Sequence, residues 1–344
     1  MKRMIIALGA AFALGQFSLG QFSLGLAAGP ALAQSPIVIK FSHVVAPDTP
    51  KGKGALKFKE LAEKYANGKV VVEVYPNSQL YKDNEELQAL QLGAVQLLAP
   101  SLAKFGPLGV REFEVFDLPF ILPSKAALRK VTDGPLGAKL LGLLDPKGIK
   151  GLAYWDNGFK DMSANKPLRL PEDFRGLKMR IQSSKVLEAQ MRALGAIPQV
   201  MAFSEVYQAL QTGVVDGTEN PPSNEYTQKM HEVQKYTMLS EHGYVGYAVI
   251  ANKKFWDGLP PDIRASLDKA MAEATAFTNE IAQKENDEAL AAIKTSGKSQ
   301  LVELTAEQKA AWRKALDPVY GEMASRVGKD IIAEFQKEAS SATH

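Results

Sequence analysis

The sequence has no cysteine and few histidines, and its many serines and carboxylates form no recognisable catalytic motif. Without cysteine the chain forms no disulfide, and thiolate metal sites, iron–sulfur clusters and cysteine nucleophiles are excluded. Only four histidines occur among 344 residues, and none has the spacing of a metal motif. "SGKS" (296–299) lacks the first glycine of a phosphate-binding loop, because position 292 is alanine. We therefore expect no metal, no cofactor and no enzymatic activity, although a spatial catalytic triad leaves no sequence motif.

Beyond the N-terminus, the sequence has neither a strong excess of positive or negative charge nor a long apolar run. "MKRMIIALGAAFALG" has two basic residues before an apolar run, and "PALAQS" supplies Ala31 and Ala33 at a cleavage site. Residues 1–33 are predicted to be a secretory signal peptide, with an uncleaved membrane anchor as the alternative. Removal of Lys2 and Arg3 lowers the net charge from +3 to +1. The mature chain is therefore expected to be exported, with no spanning helix and no nucleic-acid partner.

The mature chain alternates strands with helices, and the alternation occurs twice. The first series begins with a strand at 37–41, followed by a Pro/Asp/Gly loop, and ends with the strand of "AVQLLAP". The second begins at "GLKMRIQ" and ends at "VVDG". This order predicts an α/β fold with a largely parallel sheet, and the chain length favours two lobes.

An internal echo supports two similar lobes. "QALQLGAV" (88–95) and "QALQTGVV" (208–215) differ at two of eight positions, and each lies where a helix stops at a glycine and a strand begins. A chance match between two short helices is the alternative. The crossing between lobes is predicted near residues 154–167. Lobe I is assigned to 34–157 and 246–285, and lobe II to 158–245 and 286–344.

The C-terminal third is predicted to be helical. Residues 262–296 contain no glycine or proline, so one helix of about 50 Å would run along both lobes and brace them. Two helices with an unmarked break are the alternative. Thr305 is predicted to cap a later helix. The charges of "KGKGALKFKELAEK" (51–64) are expected to form a solvated helix face.

Polar residues at predicted strand ends are the remaining candidates for function, because ligands of two-lobed α/β proteins bind there. Leu177, Met179 and Ile181 alternate with polar residues in "GLKMRIQSS". Arg180 is then either a solvated charge on the sheet or a cation held at a strand end for an anion. The other candidates on the same reasoning are Ser183, Ser42, His43, Ser101 and Asn220, and Lys160 is added because it lies at the predicted lobe crossing.

Five segments together resemble the extracytoplasmic solute receptors of TRAP transporters, most closely those for four-carbon dicarboxylates. They are "FSHVVAPDTPKG", "EVYPNSQLYKD", "GLKMRIQSS", "MAFSEVYQALQTGVVDGTENPPSN" and "GYAVIANKKFWDGLP". The resemblance extends from about residue 36 to about residue 335. It implies a two-lobed periplasmic-binding-protein fold, a cleft between the lobes, a long connecting helix and closure around a carboxylate. It also implies a periplasmic location and a membrane permease as partner, and we expect a monomer.

The resemblance also carries residue roles. Arg180 would form an ion pair with the ligand carboxylate, Asn220 would contact the same group, and Phe203 would line the pocket. Lys160 stands where sialic-acid receptors have an arginine, and Ser101 where they have a glutamate, so both differences favour a smaller ligand. Further ligand contacts carried over from the family are His43, Ser183 and Tyr244.

The leading hypothesis is a binding protein for succinate, fumarate or malate. Arg180 and Lys160 would each hold one carboxylate, the first through a planar fork and the second as a point charge. Within the same family, the ligand could instead be a 2-oxo, hydroxy or aromatic acid. Outside it, the alternatives are an exported hydrolase or lyase, and a sensor or structural protein without a transport partner.

Overall fold

Residues 35–341 are described by the structure, which is a computed structural model, and the predicted signal peptide lies outside them. They form one nine-stranded sheet with helices around it. The strands are β1 (Ile37–Ser42), β2 (Val70–Tyr75), β3 (Leu97–Leu98), β4 (Ile149–Ala164), β5 (Lys178–Ile181), β6 (Ile197–Val200), β7 (Gly217–Asn220), β8 (Tyr236–Asn252) and β9 (Gln300–Glu303). The helices are α1 (Pro50–Tyr65), α2 (Glu86–Gln91), α3 (Lys125–Thr132), α4 (Pro135–Gly142), α5 (Lys185–Ala193), α6 (Val206–Gln211), α7 (Pro222–Thr227), α8 (Lys253–Asp257), α9 (Pro261–Ser296), α10 (Ala306–Leu316), α11 (Pro318–Val327) and α12 (Lys329–Ser340).

Two groups of three parallel strands have the same arrangement. β1 lies between β2 and β3, and β5 lies between β6 and β7. We call β1–β3 with α1 and α2 the first half, and β5–β7 with α5, α6 and α7 the second half. The echoed segments occupy equivalent places, since α2 and α6 have six residues each and are followed by Gly93 and Gly213 at positive φ. The predicted double alternation is therefore confirmed.

The two halves are joined by β4 and β8, which pair with each other in antiparallel orientation. The end of β8 pairs with β3 in the first half, and the end of β4 pairs with β7 in the second. The segment 154–167, predicted as the crossing, lies mostly in β4. The prediction of a largely parallel sheet missed this pair, because strands buried along most of their length show no clear alternation of apolar and polar residues.

Helix α9 runs for 36 residues without a break, which confirms the prediction of a single long helix. The Trp155 indole of β4 donates to Thr275 Oγ1 at 2.8 Å. The Asn286 side chain donates to the Asn157 carbonyl at 2.5 Å and accepts from the Ser223 amide at 3.0 Å. These bonds tie α9 to β4 and to α7, and the ion pair between Lys53 and Glu285 ties it to α1, so the helix contacts both halves.

Two helix starts test the local predictions. Thr305 accepts from Gln308 N and caps α10, as predicted. The loop predicted before α1 ends earlier than expected, because Thr49 caps the helix and Pro50 takes its first position. The first turn of α1 is packed against the protein, and Lys51 is 1% exposed. The expectation of a solvated face is therefore wrong for Lys51.

The apolar core follows this architecture. One cluster packs the first-half strands against α1 and α9, around Phe41, Phe58 and Trp155. A larger cluster lies around Phe174 and Trp312 and packs the second half against the C-terminal helices. None of the helices in residues 35–341 is long and apolar enough to span a bilayer.

Candidate ligand-binding site

A small buried cavity lies where both halves contribute the residues that follow their strands. It encloses about 30 Å³. The first half lines it with Val44, Val45, Lys51, Asp83, Glu86, Ser101 and Lys104, the second with Arg180, Gln182, Phe203, Asn220 and Asn224, and β8 with Val245 and Tyr247.

Arg180 is held rigidly at the end of β5. Its Nε and Nη2 donate to the Met201 carbonyl at 3.1 and 2.9 Å, and the guanidinium lies 5.7 Å from the centre of the Phe203 ring. Burial lowers the pKa of Arg180, while the Asp83 and Glu219 carboxylates oppose that shift. An arginine stays protonated even so, which fixes a cation at the cavity wall.

Asp83 is a carboxylate already present beside this cation. Lys104 Nζ donates to it at 2.5 Å, the Phe203 amide at 3.2 Å, and Arg180 Nη2 lies 4.0 Å away. Burial alone would raise the pKa of Asp83, but the charges of Lys104 and Arg180 outweigh it and hold that pKa below its ordinary value. Asp83 therefore remains ionised.

Lys51 is the third cation of the cavity. Its Nζ donates to the Ala99 carbonyl at 3.0 Å and lies 3.8 Å from the centre of the Tyr247 ring. Burial lowers the pKa of Lys51 to about 8, although the Glu86 and Asp83 carboxylates favour its charged form. Together with Lys104 and Arg180, it gives a buried pocket that attracts anions.

The second half adds neutral polar groups. Ser101 Oγ of the first half donates to the Gln182 side chain, so the two halves are hydrogen-bonded across the cavity. Within residues 35–341, the side-chain nitrogen of Asn220 hydrogen-bonds only to Thr218 Oγ1 and Met230 Sδ, each at the long distance of 3.4 Å. Asn220 can therefore offer a donor to a ligand without losing a strong bond.

Four of the eight predicted ligand contacts line this cavity. They are Arg180, Phe203, Asn220 and Ser101.

Lys160 lies elsewhere, so the structure does not bring Arg180 and Lys160 together around one cavity. Its ammonium is fully buried and pairs with Glu219 at 2.6 Å, and the other oxygen of Glu219 lies 2.8 Å from His242 Nε2. Gly243 makes room for this chain, since a Cβ there would lie 2.5 Å from Lys160 Cε. This pair was not predictable from the sequence, because Glu219 lies 59 positions away from Lys160.

The other three predicted residues also lie outside the cavity lining. Ser183 is half-buried, and the next residue, Ser184, caps α5. His43 is buried with both ring nitrogens lacking a partner within residues 35–341, and burial and the nearby Lys51 charge lower its pKa to about 3. Tyr244 donates its hydroxyl to Asp156 at 3.0 Å.

None of the four charged residues of the first-half wall was predicted from the sequence as a ligand contact. Lys104 follows β3 and Asp83 follows β2, so the strand-end reasoning that selected Arg180 also applies to them. Lys51 was hidden within a charge run that is typical of a solvated helix. Glu86 opens α2 with a buried side chain, which is uncommon for an unpaired glutamate.

Two further observations bear on other kinds of site. In the part of the chain that the structure describes, no cluster of histidine, aspartate and glutamate could hold a metal ion. A surface groove of about 580 Å³, between Phe120, Tyr320 and Ile332, is larger than the cavity but contains none of the buried cations.

Two α/β halves of equivalent topology, joined by long strands and enclosing a cationic cavity, define a two-lobed solute-binding protein. The chain belongs to the bacterial extracellular solute-binding protein family 7, whose model matches residues 41–326. The resemblance to TRAP receptors seen in the sequence is thereby confirmed.

Named relatives agree with this assignment. The chain is 72% identical over 304 residues to the C4-dicarboxylate-binding periplasmic protein DctP of Rhodobacter capsulatus, covering 88% of this chain and 91% of the relative. A TRAP periplasmic solute-binding protein from Shewanella oneidensis with bound succinate is 45% identical, with a TM-score of 0.86 over 90% of this chain and 100% of that one. Another from Pseudomonas aeruginosa with bound L-malate is 45% identical, with a TM-score of 0.81 over 83% and 100%.

Proposed function

We propose that this protein captures a small dicarboxylate of the succinate, fumarate or malate type and delivers it to a TRAP permease. The observation that carries the proposal is the cavity wall with Arg180, Lys104 and Lys51, three buried cations within one small space. A dianion with a carboxylate at each end matches such a wall, because buried cations need counter-charges. The succinate and malate bound by similar structures support the same ligand class.

In this proposal the two carboxylates are held from different halves. Arg180 takes one through its planar fork, with Asn220 as a second donor and Phe203 as the apolar wall. Lys104 and Lys51 take the other, in place of the Lys160 expected from the sequence. Lys160 is proposed as a positioning residue, since its partner Glu219 directly precedes Asn220 in β7.

Ligand entry requires the halves to separate, because the cations that line the cavity are almost completely buried. β4 and β8 have irregular register between Asp156 and Gly158 and between Lys160 and Met162, where the strands pass between the halves. Bending there would open the cavity, and ligand binding would close it, as in hinge-bending receptors.

The proposal includes the cellular setting. The chain would be exported through its N-terminal signal, act in the periplasm as a monomer and release its ligand unchanged.

Titration calorimetry with succinate, fumarate and L-malate tests the ligand class, with butyrate as a matched control of equal length and one carboxylate. We expect heat with at least one dicarboxylate and little with butyrate. A lack of heat with every dicarboxylate, with tight binding of a monocarboxylate or neutral solute, would contradict the proposal. NMR of the bound acid over several hours checks that no turnover occurs.

A further inference from the structure

Glu86 is the one charged residue of the cavity wall that has no direct partner. Within residues 35–341, no side chain or backbone group donates a hydrogen bond to its carboxyl, and no cation lies within ion-pair distance. By contrast, Asp83 has Lys104 and a backbone amide, and Lys51 has a carbonyl. A carboxyl that is 1% exposed and unpaired is costly to keep ionised.

The charge balance of the cavity changes when a dianion enters. Lys51, Lys104 and Arg180 are three cations, and Asp83 and Glu86 are two anions, so one positive charge remains when all are ionised. A dianion would convert this to one negative charge in a site that excludes water. One added proton on the site restores neutrality.

Resting on the proposed function, we propose that the dicarboxylate dianion binds together with one proton, held on the Glu86 carboxyl. Glu86 is then a specificity-determining residue, because its protonated carboxyl can donate a hydrogen bond to a ligand oxygen. Its ionised form would repel the same oxygen.

The groups that face Glu86 support this choice of proton site. Lys51 of α1, Asp83 before α2 and Lys104 after β3 act on it through their charges, and Tyr247 of β8 is also near. Burial raises the pKa of Glu86 to about 7, despite the opposing charges of Lys51 and Lys104. An added dianion raises it further, so a proton is taken up near neutral pH. Asp83 is a poor alternative because its pKa is lowered.

The test is succinate affinity by calorimetry at pH 6 and pH 8, in pairs of buffers with different ionisation enthalpies. For the wild type we expect affinity to fall at least tenfold from pH 6 to pH 8, because binding takes up a proton that Glu86 has lost at the higher pH and Lys51 adds a smaller loss. At pH 7, the buffer comparison is expected to report uptake of about half a proton.

Glu86→Gln separates this proton site from others, because the amide imitates the protonated acid and does not titrate. We expect the fall in affinity to shrink to about twofold, the remainder coming from Lys51, whose pKa is about 8. Glu85→Gln is the matched control, because Glu85 is the exposed neighbour, and it should keep the tenfold fall.

The outcomes are distinct. Absence of succinate binding at both pH values overturns the proposed function and this inference with it. Binding without a pH-dependent affinity, or a tenfold fall retained in Glu86→Gln, overturns only the inference.

A second measurement needs no variant, which covers the case that Glu86→Gln does not fold. Infrared difference spectra of the wild type with carboxyl-¹³C succinate should gain a protonated-carboxyl band at the unlabelled position. A band shifted by the label would mean that the ligand itself carries the proton, which contradicts the assignment to Glu86.

Discussion

The two halves have the same strand order but build chemically different walls. The echoed helices lie 120 positions apart, and the paired residues Phe41–Leu97 and Met179–Gly217 put Ser42 and Arg180 at equivalent places. The equivalent pairs of first-half and second-half residues are Ser42 and Arg180, Asp83 and Phe203, Glu86 and Val206, and Lys104 and Asn224.

Only one of the second-half residues in these pairs is charged, whereas three of the first-half ones are. Asp83 and its equivalent Phe203 also touch, through the hydrogen bond from the Phe203 amide. The same backbone arrangement thus carries an arginine and neutral amides in the second half, but lysines and carboxylates in the first half. Ligand chemistry in this fold resides in side chains placed on a repeated frame.

The largest expected effect on ligand affinity comes from Arg180, the only cation among the cavity-lining residues of the second half. Arg180→Ala should weaken succinate binding by about 2–5 kcal/mol, because it removes a buried fork and leaves Asp83 with one cation fewer. Calorimetry measures the loss. Ser42→Ala at the equivalent first-half position is the matched control and should change affinity by under about 0.5 kcal/mol, because its hydroxyl has no protein partner within residues 35–341. Equal losses of succinate affinity in both variants would contradict the inferred chemical difference between the two halves.

The second prediction concerns which lysine serves the ligand. Lys104→Met should weaken succinate binding by about 1.5–3 kcal/mol, the value of a hydrogen bond to a charged group. Lys160→Met should mainly lower the free energy of unfolding, because it strands the buried Glu219 carboxylate. Calorimetry and urea unfolding separate the two effects. If Lys160→Met reduced affinity more than Lys104→Met at unchanged stability, the sequence-based assignment of Lys160 as a ligand contact would be supported instead.

The third prediction uses a buried acid of the second half. Burial raises the pKa of Glu225 to about 8, against the hydrogen bond from Thr237. The folded state thus holds this proton more tightly than the unfolded state, so stability falls as pH rises from about 4.5 to about 8.

Glu225→Gln removes this penalty, and we expect it to stabilise the protein by about 1–3 kcal/mol more at pH 9 than at pH 5. Urea unfolding at the two pH values measures the difference. Glu232→Gln is a surface control and should show little change. A gain at pH 5 equal to that at pH 9 would argue against a buried, protonated Glu225.

The smallest effects, on the free energy of unfolding, are expected from the hydrogen bonds that attach α9 to the rest of the protein. Asn286→Ala should lower the free energy of unfolding by about 1–3 kcal/mol, because it leaves the buried Ser223 amide without its acceptor. Thr275→Val, which removes only the bond from the Trp155 indole beside the first-half core, should cost about 1 kcal/mol. Thermal unfolding tests the order, and a larger loss in Thr275→Val would reverse the inferred importance of the two attachments.

Local patterns predicted much of the fold. Alternation and helical spacing located β1, β2, β5 and α9, and the echo indicated the duplication, because these signals lie within a few residues of sequence. The antiparallel pair of β4 and β8 could not be predicted in the same way. Its register joins Ile149 to Asn252, and long-range pairing leaves no local periodicity.

Residues of the cavity were predictable from the sequence where they lie at the end of a strand that the local pattern reveals. Arg180, Asn220 and Ser101 follow strands, and the structure puts them together. The burial of Lys51 and the ion-pair partner of Lys160 were not predictable, because both are tertiary properties. The Ala99 carbonyl that fixes Lys51 and the Glu219 carboxylate that fixes Lys160 are both far away in sequence.

The strands shared between the halves also set the order in which the chain can fold. β3 of the first half pairs with Ala251 of β8, and Lys53 of α1 pairs with Glu285 of α9, which is 232 positions away. The half that is synthesised first is therefore completed last. Such distant contacts make folding slow, so a chain leaving the ribosome remains without its final core until nearly all of it has been made. That delay would suit the exported protein proposed above, which would cross a membrane before it folds.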